Sequence, residues 1–266
     1  MDRASIIGLL FGFIAVGAGM ILKGVSPMAL INPAAILIII LGSAAAVLIA
    51  FPMSTLKKIP TLLKIIFTEE RNSNAAAFVT EVTGWAESTR KEGILWLEAQ
   101  MQRIEDPFLR SGLQLTIDGQ TSDFIREVMM EIIYAMEERH QKGVSIFTQA
   151  GTYAPTLGVL GAVIGLIAAL SDLNDMEMLG SAIAAAFVAT LLGIFTGYIL
   201  WHPFANKLRE KSENEVRVKQ IMIEGILSIT NGESPQIIKD KLSSYLSSEE
   251  LAMLNQEGTN ATSEEA

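Results

Sequence analysis

The sequence has no cysteine, which excludes disulfides, thiolate chemistry and cysteine-ligated metal. Its two histidines, His140 and His202, stand far apart, and a metal site normally takes three or four ligands. No metal is therefore expected. Base is in short supply too: the net charge of −9 argues against nucleic acid, whose phosphates are held by Lys and Arg. No Walker loop, HExxH or GxSxG segment occurs, and no serine, histidine and acid fall into a hydrolytic spacing. Neither an enzyme activity nor a cofactor is expected. The largest shortage is of charge itself. Of 266 residues 18% are charged and 50% are hydrophobic, and the hydrophobic residues are clustered.

The clusters are four runs: Ala4–Leu22, Pro33–Phe51, Thr148–Leu170 and Leu179–Trp201. None contains Asp, Glu, Lys or Arg. A helix crosses a bilayer in about 20 residues, so each run is long enough to span. A signal peptide is the rival for the first run. Asp2 offsets Arg3 in what would be its basic start, and a second run follows almost at once, so a retained span is expected. Pro33 suits the first turn of the second span, where its missing N–H costs little. Small residues recur at helical spacing: Gly8, Gly12, Ala15 and Gly19 in the first run, Ser181, Ala185, Ala189, Gly193 and Gly197 in the fourth. With Gly161-x-x-x-Gly165 in the third, these read as packing seams between membrane helices.

Lys57, Lys58 and Lys64 follow the second run, and Lys207, Arg209 and Lys211 follow the fourth. The connection between the third and fourth carries Asp172, Asp175 and Glu177, and Lys23 is the lone base in the other outer loop. This bias predicts both termini and the 53–147 segment on the cytoplasmic side of the cell membrane.

An all-α, four-span membrane protein with a cytoplasmic helical lobe results. It divides into a first hairpin (1–52), the lobe (53–147), a second hairpin (148–203), C-terminal helices (204–246) and a disordered acidic tail (247–266). Within the lobe the spacing predicts helices over Asn74–Lys91, Ile94–Arg103 and Ser122–Lys142. The last presents Ile125, Val128, Met129, Ile132, Ile133 and Met136 on one face and runs on towards the third span. Phe204–Leu227 and Pro235–Leu246 are the expected C-terminal helices.

Proteins that move ions usually place an ionisable group inside a span. Here no span has one, so either the chain moves no ions or another chain supplies the group. Pro155 falls inside the third span and predicts a kink, which serves either packing or function. Thr190, mid-way along the fourth, either bonds back to its own helix or faces an ion path. Pro203 reads as the helix stop of the fourth span. Arg90 and Glu98 fit a solvated helical face. They are separated by about 80° on an ideal helix, unless Gly93 breaks it between them.

Taken together, Tyr153-Ala-Pro-Thr-Leu-Gly-Val-Leu-Gly-Ala-Val-Ile-Gly165, Ala189-Thr-Leu-Leu-Gly193 and His202-Pro-Phe-Ala-Asn-Lys-Leu-Arg209 resemble the MotA/ExbB/TolQ family. Arg90-Lys-Glu-Gly-Ile-Leu-Trp-Leu-Glu98 resembles the cytoplasmic charged motif of its flagellar-stator members. The resemblance covers nearly the whole chain. It implies a pentamer of such chains around two copies of MotB, which supplies the single membrane aspartate. It places Pro155 and Thr190 near the ion path, Pro203 in conformational coupling, and Arg90 and Glu98 at the rotor protein FliG. Sodium-type relatives carry hydroxyl residues where this chain has Ala162 and Ala189, which favours protons as the coupling ion. The rival readings are a sodium-driven stator, an ExbB- or TolQ-like energiser and a passive membrane scaffold.

Overall fold

The computed structural model describes residues 2–69, 75–171 and 176–255, and among them there is no β-strand. Among the described residues four helices are long and apolar enough to cross a membrane: Arg3–Leu22 (α1), Pro33–Ala50 (α2), Ser122–Leu170 (α8) and Met176–Thr230 (α9). The chain forms two compact units, Met1–Glu69 with Arg139–Lys211, and Glu70–Glu138 with Ser212–Ala266. The sequence-based divisions at 147/148 and 203/204 fall inside the continuous helices α8 and α9.

In the first unit, α1 starts at Asp2, whose carboxylate accepts from the Ser5 amide at 3.3 Å. It ends at Gly24, which takes a φ of 74°, where a β-carbon would be strained. No residue of α1 is buried, and Phe11, Ile49 and Phe187 on three different spans are 66%, 88% and 73% exposed. Apolar side chains facing outward along whole helices invert the pattern of a water-soluble domain. In α2, Asn32 caps the start by accepting from the Ala35 amide at 3.1 Å, and the helix passes through a π turn at Leu37–Leu41.

Two short helices follow that the sequence pattern did not reveal, Met53–Leu56 (α3) and Ile59–Phe67 (α4). Ile66 of α4 is fully buried with Val144, Phe147, Ala205 and Leu208, while Lys64 on the same helix is exposed. The end of α4 gathers donors from far along the chain. Asp2 donates its amide to the Phe67 carbonyl at 3.0 Å. Lys211 donates its ammonium to the Ile65 and Thr68 carbonyls at 2.7 and 2.6 Å. A cation suits the orphaned carbonyls of a helix C-terminus. Asp2 is also paired with Lys207, whose hydrogen bond holds the carboxyl below the usual carboxylate range.

The second unit is built on Ala75–Glu92 (α5), Trp96–Gln100 (α6), Pro107–Ile117 (α7), the first part of α8, the last part of α9 and Pro235–Ser243 (α10). Val79, Val82, Leu97, Leu113, Ile125, Met129, Ile133, Ile226 and Leu242 form its core. Ile125, Met129 and Ile133 lie on the face that periodicity marked. Asn74, the expected first residue of α5, lies outside the described residues. The helix α7 was not expected. Asp106 caps it, accepting from the Phe108 and Leu109 amides at 2.7 and 3.2 Å, and Pro107 takes the first turn.

The expected disordered tail needs correction. Residues 248–255 are helical, with Leu254 buried. The cause is a capping box, Ser247-Ser-Glu-Glu250. The Glu250 carboxylate accepts from the Ser247 amide at 2.7 Å, and the Ser247 hydroxyl accepts from the Glu250 amide at 3.3 Å. Arg217 then grips Glu250 with two bonds of 2.9 and 3.1 Å. Residues 256–266 lie outside the described residues.

Arg217 lowers the Glu250 carboxyl to about 2. A carboxylate depressed in the folded state contributes its stability above its ordinary value and loses it as pH falls through the depressed one. The clasp should thus persist at pH 5 and open only near pH 2. Glu250→Gln should open it at neutral pH, exposing amides 248–255 to hydrogen exchange. Unchanged protection in that variant would show that Leu254 burial alone holds the segment.

Candidate functional site

Pro155 lies well inside α8, and the helix continues on both sides of it. Proline has no N–H, so the carbonyl of Gly151, four residues earlier, loses its usual helical donor. The structure directs that carbonyl at α9. A β-carbon on Gly197 would stand 2.8 Å from the Gly151 oxygen and 2.9 Å from Cγ of Pro155. The same closeness repeats along the pair. A β-carbon on Gly193 would stand 2.7 Å from the Ala154 oxygen, and one on Gly158 2.8 Å from the Ala189 oxygen. The helices α8 and α9 therefore meet backbone against backbone, through Gly151, Ala154, Pro155 and Gly158 on one side and Ala189, Gly193 and Gly197 on the other. Three of the five small residues expected to form a seam in the fourth run do so.

Other small residues do not serve this seam. A β-carbon on Gly161 would meet Ile38 and Ala189 at ordinary distances, and one on Gly165 would meet nothing within 4 Å. In α1 only Gly12 of the three stripe glycines is closely approached, 2.7 Å from Cγ2 of Ile199, while Gly8 and Gly19 face open space.

The expectation that Pro203 stops the fourth span is overturned. The chain passes through a π turn at Thr196–Trp201 and continues helically to Thr230. In the π turn the His202 amide donates to Gly197, five residues back. This wider turn lets the helix absorb a proline that would otherwise break the ladder. Pro203 instead lines a cavity of about 340 Å³ with Ser5, Gly8, Tyr198 and Lys207.

Thr190 donates its hydroxyl to the Ala186 carbonyl at 3.2 Å, one turn back. Ala189 is buried in the seam against Ala154. Ala162 is half-buried on α8, seven residues beyond Pro155. Pro155 and Ala189 are thus brought to one crossing, and Thr190 follows Ala189 on α9. Pro203 lies more than three turns further along α9.

Arg90 and Glu98 belong to the second unit and are both exposed. Gly93, at a φ of 90°, ends α5 between them, so they sit on separate helices and the shared-face geometry of one helix does not apply. Among the described residues neither makes an ion pair.

Two residues at the crossing were given no role there by the sequence. Trp201 is wedged between Phe147 and Phe204, with ring centroids at 6.2 and 6.3 Å, and its indole N–H is buried without a partner among the described residues. His202 lies over Gly151 and beside Tyr198, at 5.2 Å between ring centroids. Only their place in the His202-Pro203 segment could have marked them. Among the described residues no group of three His, Asp or Glu could hold a metal ion.

Comparison with known proteins sets this crossing in a family. Residues 100–221 match the model of the MotA/TolQ/ExbB proton channel family. Motility protein A of Bacillus subtilis is 54% identical over 258 residues, 97% of this chain and 96% of that protein. The chain belongs to the MotA/TolQ/ExbB proton channel family. It is similar in structure to a chain of the flagellar MotAB stator complex from B. subtilis, with a TM-score of 0.88 and 55% identity over 93% of this chain and 97% of that one. A chain of C. jejuni MotAB matches with a TM-score of 0.87 at 29% identity, over 93% and 97%. As a member of this family with four apolar spans, it is a multi-pass membrane protein.

Proposed function

We propose that this chain is the subunit of a bacterial flagellar stator that couples proton flow across the cytoplasmic membrane to torque on the rotor. The observation that carries this reading is the near full-length likeness to a motility protein A and to a MotAB stator chain. The charge-free spans support it from another side. They require the titrating group to come from a partner, and the membrane aspartate of a MotB-type protein supplies it. Five copies of the chain surround two of the partner, with both termini and the second unit in the cytoplasm.

The carboxylate takes a proton from outside, becomes neutral, and releases the proton inside. One charge crossing the membrane releases about 2.3 kcal/mol per 100 mV. A single step therefore does only a few kcal/mol of work, and torque comes from many steps. Pro155 and Thr190 act beside the carboxylate. The π turn and Pro203 pass its change of state to the cytoplasmic end of α9.

Ala162 and Ala189 offer no side-chain oxygen, which leaves the Thr190 hydroxyl and the partner carboxylate as too few ligands for sodium. Sodium needs several oxygen ligands, whereas a proton needs a carboxylate and a water path, so protons are the coupling ion. A non-motile strain lacking the gene, complemented with this chain and its cognate partner, should swim equally fast when sodium is removed at constant proton-motive force. Speed that collapses with sodium and returns on its addition would sink the proton assignment.

Arg90 and Glu98 face the rotor protein FliG. Both are exposed and, among the described residues, make no ion pair, as charges reserved for another protein would be. Exposed pairs are worth under about 1 kcal/mol each. Arg90→Ala should therefore be mild in torque, and Arg90→Glu worse, because reversal adds repulsion to a lost attraction. Equal defects in tethered-cell torque would argue against an electrostatic contact.

A further inference from the structure

His202 is the titratable side chain that this reading leaves without a task. It stands at the end of the π turn, on the cytoplasmic side of the crossing. Its imidazole rests on bare backbone: a β-carbon on Gly151 would lie 2.8 Å from Cδ2 and 2.9 Å from Nε2. Gly151 is four residues before Pro155, which places the ring about 6 Å along the α8 axis from it. The carbonyl of the same Gly151, which Pro155 deprives of its helical donor, points at Gly197. The ring is half-buried and makes no hydrogen bond or ion pair with a described residue.

Among the described residues, the titratable groups around the imidazole are the following. Tyr198 touches it from its own helix. On α8, Tyr153 packs into the cluster of Val47, Ile146 and Ala150, and His140 and Lys142 lie more than two turns away and are not free. Lys207 is paired with Asp2 from the start of α1, and Arg209, two turns on, donates to Asn206 at 2.9 Å.

We infer that His202 is the cytoplasmic proton acceptor of the path. The assignment rests on the stator reading. The partner's neutral carboxyl group, held near Pro155, gives its proton through water to an imidazole nitrogen. The O–H bond breaks and an N–H bond forms, leaving a carboxylate and an imidazolium. The imidazolium passes the proton to cytoplasmic water and returns to neutral. Imidazole suits this role because a ring nitrogen can accept a proton and release it again. Glycine is needed at 151 because any β-carbon would displace the ring.

The test uses the complex with its cognate partner in inside-out membrane vesicles, where the cytoplasmic face is accessible. Complex yield and proton flux are measured for wild type, His202→Gln and His202→Ala while the outer pH is varied from 5 to 8. Both variants should assemble, lose roughly tenfold or more in flux near neutrality and lose the wild-type pH profile. Imidazole in the buffer should restore His202→Ala. Pyrazole, of the same shape but unprotonated near neutrality, should not. If His202→Ala does not assemble, His202→Gln carries the test. Wild-type flux and pH profile in His202→Gln, or equal rescue by pyrazole, would reduce His202 to a packing residue and overturn the assignment alone. A wild-type complex that carries no proton flux would overturn the stator reading and this assignment with it.

Discussion

Replacing Gly193 by alanine is expected to separate α8 from α9 and to remove most of the assembled complex. The added methyl would stand 2.7 Å from the Ala154 oxygen, 3.0 Å from Cα of Gly158 and 3.2 Å from Cα of Pro155. All three are backbone atoms of a long helix, so no side chain can swing aside. Two effects compete. Alanine favours a helix over glycine by about 1 kcal/mol, while overpacking a close contact costs about 1–3 kcal/mol. The second should win here, because the helix is already enforced by the membrane and gains little from propensity. Gly165→Ala is the matched comparison, since its methyl would meet nothing within 4 Å among the described residues. Gly193→Ala should lower the thermal midpoint and yield of the purified complex while Gly165→Ala leaves both unchanged. Equal behaviour of the two variants would refute the backbone-on-backbone crossing. A defect at Gly165 alone would mean that its open side meets another chain.

Pro155→Ala should leave the complex assembled and abolish its work. The substitution supplies the missing N–H, which draws the Gly151 carbonyl back into its own helix and away from Gly197. It also removes Cγ and Cδ, which pack at about 3 Å from where a β-carbon on Gly197 would lie. Restoring a helix bond offsets the lost contact, so stability should change little. In the proposed stator these carbonyls stand beside the partner carboxylate, so proton flux and swimming should fall by about tenfold or more, equivalent to at least about 1.4 kcal/mol of barrier. Yield and flux must be read on the same preparation. Low yield, or normal flux, would show that Pro155 serves packing alone.

The spans were legible because they depend on composition over about 20 residues, and composition needs no partner to be read. Ile125, Met129 and Ile133 were legible as a buried face for the same reason. The short helices α3, α4 and α7 were not, because segments of 4 to 11 residues show too little periodicity to separate from loops. Their signals were local: Asp106-Pro107 before α7 and Ser247-x-x-Glu250 before the last helix. Pro203 misled because proline in isolation predicts a stop, and the π turn that accommodates it has no signature in spacing. The seam residues were recognisable as small, but Gly165 is as small as Gly193, and only one of them touches a neighbour in this chain.

The sequence by itself determined that the chain crosses a membrane four times, carries no charge within its spans, and so depends on another chain for any titrating group there. Those properties follow from residue type and run length alone. Only the tertiary structure decided which glycines bear a crossing, where the carbonyl freed by Pro155 points, and that His202 rests on Gly151. These are contacts between α8 and α9, set by how two helices fit at distances of a few ångströms, and residue order along either helix does not specify that fit.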